Sequence, residues 1–140
     1  MTSTSPKKWT FMAGRIVLIL LTLLVALEFA DTGGVKLIND PQQLANFTHW
    51  GYPHWFMVVI GVLEASGALL LFGSLFVKRL ALPGAMLLAA DMCGALYTHI
   101  AHGEWMNLPL PSTLLVLVII IGWRGRASWL GALTLPKAAS

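Results

Sequence analysis

Charged residues are scarce in this chain of 140 residues, since only 11% are Asp, Glu, Lys or Arg while 57% are hydrophobic. A soluble domain carries roughly a quarter charged residues. The deficit indicates an integral membrane protein whose surface meets lipid. The net charge of +3 is divided between short ends and loops. Without a basic stripe, the sequence predicts no nucleic-acid partner.

Cysteine is also nearly absent. The single Cys93 excludes an internal disulfide, a CxxC redox pair and a zinc site built from cysteines. Any redox chemistry therefore requires a bound cofactor. A glycine-rich phosphate loop, a nucleophile elbow and an HExxH motif are absent as well.

Long apolar blocks are what the chain does contain. Each approaches the roughly 20 residues that a membrane-spanning helix needs. A helix also satisfies its backbone hydrogen bonds internally, and no period-two alternation indicates strands. The sequence predicts an all-α fold, an integral membrane bundle of four transmembrane helices forming a single membrane domain over residues 1–140. We expect these helices at about residues 11–30, 55–77, 80–101 and 105–123, with an outer loop at 31–54 and a cytoplasmic tail at 124–140.

The basic residues predict how the bundle is oriented. They cluster before the first block, between the second and third, and after the fourth: Lys7, Lys8, Arg15, Lys78, Arg79, Arg124, Arg126 and Lys137. The two remaining loops contain one Lys or Arg residue between them, Lys36. Since positive residues favour the cytoplasmic side, we expect both termini in the cytoplasm. The bacterial inner membrane is the expected location.

The first block has an alternative interpretation as a cleaved secretion signal, because Lys7 and Lys8 precede an apolar run. Cleavage after Ala30 would place Glu28 at the −3 position, where a small residue is preferred. The sequence therefore favours a retained first helix.

Two carboxylates interrupt the apolar blocks at similar depth. At ~1.5 Å per helical residue, Asp91 lies roughly 16 Å from His102, and Glu64 lies roughly 14 Å from Trp55. Carboxylates at bilayer depth usually face a bundle interior or water. One hypothesis makes Glu64 and Asp91 an acid/base pair in a functional pocket. The alternative is that both are protonated and only join helices by hydrogen bonds.

The histidines lie on the predicted outer side. Asp91, His99 and His102 share one face of the third block, so His99 joins Glu64 and Asp91 as a predicted catalytic residue. The predicted ligand-binding residues are Glu28, His54, His102, Trp55 and Tyr97. The alternative roles for the histidines are interfacial wetting and metal or haem ligation, but their spacing matches no defined metal motif, so we predict no metal site.

Several segments resemble the DoxX / DoxX-like family. They are "GGVKLIND", "NFTHWGYPHW", "IGVLEASGALLL" and "AADMCGALYTHIAHG", and the resemblance covers about Glu28 to Arg124. The matching positions are Glu28, Gly34, Lys36, Phe47, Gly51, Pro53, Gly61, Glu64, Gly67, Met92, Ala95 and His99. The resemblance implies a small four-helix membrane protein, and the family takes its name from a subunit of a terminal quinol oxidase. This sequence lacks the paired cysteines of a thiol relay, and Asp91 is not carried over from the family pattern.

Three functions remain open from the sequence. The first is an accessory subunit of a membrane oxidoreductase that binds a quinone or another apolar ligand between helices, with a redox partner protein supplying electrons. The second is a stand-alone enzyme of the isomerase or epoxide hydrolase type, using the buried carboxylates as acid and base. The third is a non-enzymatic membrane assembly protein. All three place the protein in contact with the lipid bilayer.

Overall fold

The structure is a computed structural model that describes residues 6–134, with side chains described for residues 9–131. Its α-helices are α1 (Pro6–Leu37), α2 (Pro41–His49), α3 (His54–Gly73), α4 (Ala81–Ala101) and α5 (Pro109–Thr134). Short 3-10 helices, Lys78–Leu80 and Trp105–Asn107, lead into α4 and α5. Four of the five α-helices, namely α1, α3, α4 and α5, are long and apolar enough to cross a membrane. The predicted bundle of four transmembrane helices is therefore confirmed.

The helices pack as an antiparallel bundle. α1 lies along α3, α3 along α4 and α4 along α5, whereas α1 and α5 touch over only a short stretch. The indole N–H of Trp129 donates to the backbone oxygen of Arg79 over 2.7 Å, which holds the end of α5 beside the turn between α3 and α4. Because the bundle has four spanning helices in antiparallel order, the start of α1 and the end of α5 lie on the same side of it. That this side is cytoplasmic stays a prediction, and Lys137 lies outside the described residues.

The core is formed where the four long helices meet. Val25 and Phe29 of α1 and Leu88 of α4 are almost wholly buried. Leu71 of α3 and Val118 of α5 are buried in the same apolar cluster. Lipid covers the outside of the bundle, so large side chains such as Leu24 and Ile119 remain exposed on that surface.

The contact between α1 and α3 is unusually close. A Cβ added to Gly33 would lie 2.9 Å from the backbone nitrogen of Ala65 and 3.0 Å from the backbone oxygen of Gly61. A Cβ added to Gly61 would lie 3.0 Å from the Cβ of Lys36. Small residues allow membrane helices to approach to this distance. This contact holds the last turns of α1 against the middle of α3.

The structure corrects the predicted outer loop at residues 31–54. Helix α1 continues to Leu37, and α2 occupies Pro41–His49. The extension of α1 is stabilised by the packing of Gly33 on α3, which hydropathy alone does not reveal. Helix α2 begins after Asp40, whose carboxylate accepts hydrogen bonds from the backbone N–H groups of Gln42 and Gln43.

The predicted tail at residues 124–140 is also shorter than expected. Helix α5 continues through Arg124 to Thr134 instead of ending near Trp123. The hydrogen bond from Trp129 to the α3–α4 turn explains this extension, since it gives the last turns of α5 a partner within the bundle.

Candidate functional site

A cavity of about 590 Å³ lies between the helices, in the half of the bundle that α2 covers. Its polar lining consists of Glu28, Thr32, Lys36, Gln43, Asn46, Trp50, Glu64, Asp91, His99, Glu104 and Asn107. Its apolar lining consists of Phe29, Phe47, Ile60, Met92, Ala95, Met106, Pro109, Leu110, Pro111 and Leu114. Mixed apolar walls with a few convergent polar groups are typical of small-molecule sites.

A buried acid–base cluster forms one wall of this cavity. The Nζ of Lys36 on α1 lies 2.7 Å from the Oε2 of Glu64 on α3. Their side chains are only 10% and 4% exposed. The carboxyl group of Asp91 on α4 lies next to the carboxyl group of Glu64. Three helices therefore bring Lys36, Glu64 and Asp91 together, and we call these residues the buried cluster.

Charge balance indicates how the buried cluster holds its protons. A hydrogen bond between two carboxyl groups requires that one of them carry the proton. Glu64 already accepts from the Lys36 ammonium, so the proton belongs on Asp91. The neutral arrangement is then an ammonium, a carboxylate and a carboxylic acid. Among the described residues, the Oδ2 of Asp91 is enclosed by protein atoms and has no hydrogen-bond partner, so its capacity to accept a hydrogen bond is unused.

Glu104 organises the mouth of the cavity below α2. Its Oε1 accepts a hydrogen bond from the indole N–H of Trp50 at 3.0 Å, and its Oε2 lies 2.6 Å from the Nδ1 of His99. The amide of Asn107 also donates to Oε2, over 3.3 Å, and His49 lies 3.8 Å from Oε1. We call Trp50, His99 and Glu104 the latch, because they join the end of α2 to the end of α4.

The latch changes the acidity of its carboxyl group. Hydrogen bonds lower the pKa of Glu104 from 4.5 to about 2. The bond from Trp50 makes the largest contribution, and the bond from His99 makes the next largest. Because the pKa is lower in the folded state, the stabilisation is fully present above pH 4.5. It is lost as the pH falls from 4.5 towards 2, where Glu104 becomes protonated in the folded protein.

We expect Glu104→Gln to lose no stability at this position as the pH falls from 4.5 towards 2, because glutamine does not take up a proton in this range. At pH 7 the variant should unfold at a lower temperature than the wild type, because its single amide oxygen can accept from Trp50 or from His99 but not from both, and accepts less strongly than a carboxylate. The difference in unfolding temperature should shrink as the pH falls below 4.5, and the two proteins should converge only near pH 2. Thermal unfolding followed from pH 7 to pH 2.5 checks this, and parallel curves over that range would contradict it.

Four of the predicted site residues line the cavity. Glu64 and Asp91 belong to the buried cluster and His99 belongs to the latch. Glu28 lies on α1, towards the start of that helix from Lys36. The predicted face of the third helix is thus found for Asp91 and His99. Glu28 was expected near the outer end of its helix, but α1 ends only at Leu37, nine residues later. Glu28 therefore lies about 13 Å deeper than the end of α1.

The other four predicted ligand contacts lie away from the cavity lining. Trp55 and Tyr97 are 64% and 70% exposed on the outside of the bundle. The ring of His54 hydrogen-bonds the side chain of Asn39, and His102 hydrogen-bonds the backbone oxygen of Thr98. Tyr97 is two residues from His99, so the helical turn directs it to another face of α4.

The sequence did not predict the buried cation Lys36. Lys36 was counted as a loop residue, yet it lies in α1 and is 8% exposed. The spacing of Glu28, Thr32 and Lys36 at four-residue intervals was an available signal, since it places them on one helical face. All three line the cavity. No group of three or more His, Cys, Asp or Glu within residues 6–134 is arranged to hold a metal ion.

Comparison with known proteins relates this geometry to a family. A family model described as the DoxX-like family matches residues 20–121, a range that includes every cavity-lining residue from Glu28 to Leu114. The chain is also similar to the uncharacterized protein YdgD of Bacillus subtilis (strain 168). The two are 24% identical over 106 residues, which cover 76% of this chain and 93% of YdgD. No solved structure matches the chain.

Proposed function

The chain belongs to the DoxX-like family of multi-pass membrane proteins, and from its cavity we propose that it binds a lipid-soluble small molecule between its helices. The observation that carries this proposal is the buried cluster, which faces a cavity with both apolar and polar walls. A cluster that only joined helices would need no adjoining cavity of about 590 Å³. That volume lies within the range of roughly 300–1,000 Å³ usual for ligand pockets.

The chemistry of the buried cluster favours a quinone or its quinol as the ligand. Such a molecule has an apolar ring with oxygen atoms that accept or donate hydrogen bonds. We propose that the carboxyl group of Asp91, which lines the cavity, turns so that its unpartnered Oδ2 accepts from a quinol hydroxyl, and that the ammonium of Lys36 donates to a carbonyl oxygen. Phe29, Met92 and Leu114 supply apolar contact for the ring.

Proton exchange is the role we propose for the buried cluster. Reduction of a quinone to a quinol takes up two electrons and two protons. Asp91 donates one of these protons to a ligand oxygen and is reprotonated from water, the other ligand oxygen takes its proton from water, and Glu64 stays ionised beside Lys36. The electrons come from a partner protein, so we propose an accessory subunit of a membrane oxidoreductase in the bacterial inner membrane.

Binding of decylubiquinone to the purified protein in lipid nanodiscs tests this proposal. We expect Asp91→Asn to weaken binding roughly tenfold, about 1.4 kcal/mol, because the amide cannot donate a proton and alters the hydrogen bond to Glu64. Asp31→Asn is the matched control, since Asp31 is exposed on α1 and outside the cavity lining. Calorimetric titration measures both. Equal Kd values for wild type and Asp91→Asn would overturn the proposal.

A stand-alone acid/base enzyme is the second candidate. The contact between Glu64 and Asp91 favours it, because one carboxylate and one carboxylic acid side by side form an acid/base pair. Turnover of a small apolar epoxide by the pure protein, abolished in Asp91→Asn and unchanged in Asp31→Asn, would replace the first proposal with this one.

A non-enzymatic assembly role is the remaining alternative. The double variant Glu64→Gln/Asp91→Asn distinguishes it, since helix joining by hydrogen bonds survives in amide side chains. An unchanged fold with unchanged partner binding, together with no decylubiquinone binding by the wild type, would favour assembly.

A further inference from the structure

The cavity has two boundaries through which a ligand could pass. One is the mouth beneath α2, which the latch and Asn107 line. The other is the seam between α1 and α5, which is defined by Phe29 and Thr32 on one side and Leu110 and Leu114 on the other. The mouth leads to water and the seam leads to lipid. The two routes select ligands of different solubility.

Hydrogen bonds tie the end of α2 to the end of α4 beside the mouth. Trp50, at the end of α2, donates to Glu104, which also bonds His99 of α4. A second link joins the Tyr52 hydroxyl to the Thr98 hydroxyl at 2.9 Å. Phe47 of α2 is buried beneath these links. Movement of α2 away from α4 to widen the mouth would require these polar links to break together.

The seam has no comparable closure in its outer part. Gly33 and Lys36 hold the last turns of α1 against α3. The facing turns of α5 present Pro109, Leu110 and Leu114, whose side chains carry no hydrogen-bonding groups. Leu110 is 60% exposed although it lines the cavity. Deeper in the bundle, Val25 of α1 and Val118 of α5 are buried in the common core and close the seam.

We propose that the seam between α1 and α5 is a lateral portal through which a lipid-dissolved ligand enters the cavity. The ligand arrives from the leaflet on the α2 side, and its polar head reaches the buried cluster while its tail stays between α1 and α5. The ligand class is therefore a membrane-partitioned amphiphile with a small polar head. This inference rests on the proposed binding function, although its test does not require the ligand to be known.

A cysteine reporter in the cavity measures the route of entry. Cys93→Ser removes the native exposed thiol, and Ala95→Cys places a thiol in the cavity lining. The full-length protein is reconstituted in liposomes and exposed to lipid-soluble N-phenylmaleimide or to charged sulfonatoethyl methanethiosulfonate. Each rate is divided by the rate of the same reagent with free glutathione in the same liposome suspension before comparison. We expect N-phenylmaleimide to have the higher normalised rate, because only this reagent dissolves in the lipid that borders the seam.

A larger side chain in the seam should slow labelling by the lipid-soluble reagent and leave labelling by the charged reagent unchanged. We expect Leu110→Trp to reduce N-phenylmaleimide labelling of Ala95→Cys roughly tenfold, or about 1.4 kcal/mol of added barrier. Ile119→Trp is the matched control, since Ile119 is 53% exposed on α5 and outside the cavity lining. Leu110→Phe should give a smaller reduction, and it decides the test if Leu110→Trp does not fold.

Two results would overturn the portal. One is equal labelling rates in the Leu110 variants and Ile119→Trp; the other is faster normalised labelling by the charged reagent, which indicates entry through the mouth. The portal and the quinone assignment can fail independently of each other. If decylubiquinone does not bind but labelling depends on Leu110, the portal stands and the quinone assignment falls.

Discussion

Lys36→Met is expected to destabilise the protein by about 3–5 kcal/mol, the usual cost of removing one partner of a buried ion pair. The substitution leaves Glu64, 3% exposed, beside Asp91 without its cation. Two neighbouring carboxyl groups would then share the site without a compensating charge. The measurement is reversible unfolding in mixed micelles or, where unfolding is irreversible, the unfolding temperature of the detergent-solubilised protein.

Lys78→Met is the matched control for this experiment. Lys78 is exposed in the turn between α3 and α4, so its loss should change stability by less than about 0.5 kcal/mol. Similar small effects at Lys36 and Lys78 would contradict a stabilising ion pair at Lys36.

The double variant Lys36→Met/Glu64→Leu should recover much of the loss. Replacing a buried ion pair by apolar residues of similar size is often neutral for stability, because the cost of burying both charges disappears. Ligand binding should not recover, since the buried cluster has lost its cation and its carboxylate. A double variant no more stable than Lys36→Met would show that the ion pair itself is not the cause.

Gly33→Ala is expected to destabilise the protein by about 1–3 kcal/mol, the usual range for overpacking a tight contact. The added methyl group meets backbone atoms of Gly61 and Ala65 at 3.0 and 2.9 Å, and backbone cannot rotate away. Relief requires α1 and α3 to separate, which also lengthens the Lys36–Glu64 contact. Stability and decylubiquinone affinity should therefore fall together.

The adjacent Gly34→Ala provides the control. A Cβ added to Gly34 meets nothing within 4 Å, and Gly34 lies within α1. Alanine there should stabilise the protein by about 0.5–1 kcal/mol, because it loses less backbone entropy on folding than glycine. Opposite signs at these neighbouring positions support the close helix contact. Equal effects at Gly33 and Gly34 would attribute the change to helix propensity alone.

The sequence by itself determined the architecture of the bundle. Four apolar blocks of spanning length dictate four transmembrane helices, because a buried backbone in lipid must bond within its own segment. Helical periodicity also placed Asp91 and His99 on one face, where both line the cavity. Such properties depend on neighbours within one segment, and so local composition and spacing are sufficient to predict them.

Only the tertiary structure decided which helical faces meet. Lys36 and Glu64 are 28 residues apart, and their pairing depends on how α1 and α3 rotate against each other. Three apolar sides on a membrane helix leave that rotation undetermined, since lipid solvates any of them equally well. The same freedom explains why Tyr97 and Trp55 were predicted to contact a ligand but lie on the outside of the bundle. Close packing at Gly33 fixes the rotation of α1, and with it the position of Lys36 in the cavity.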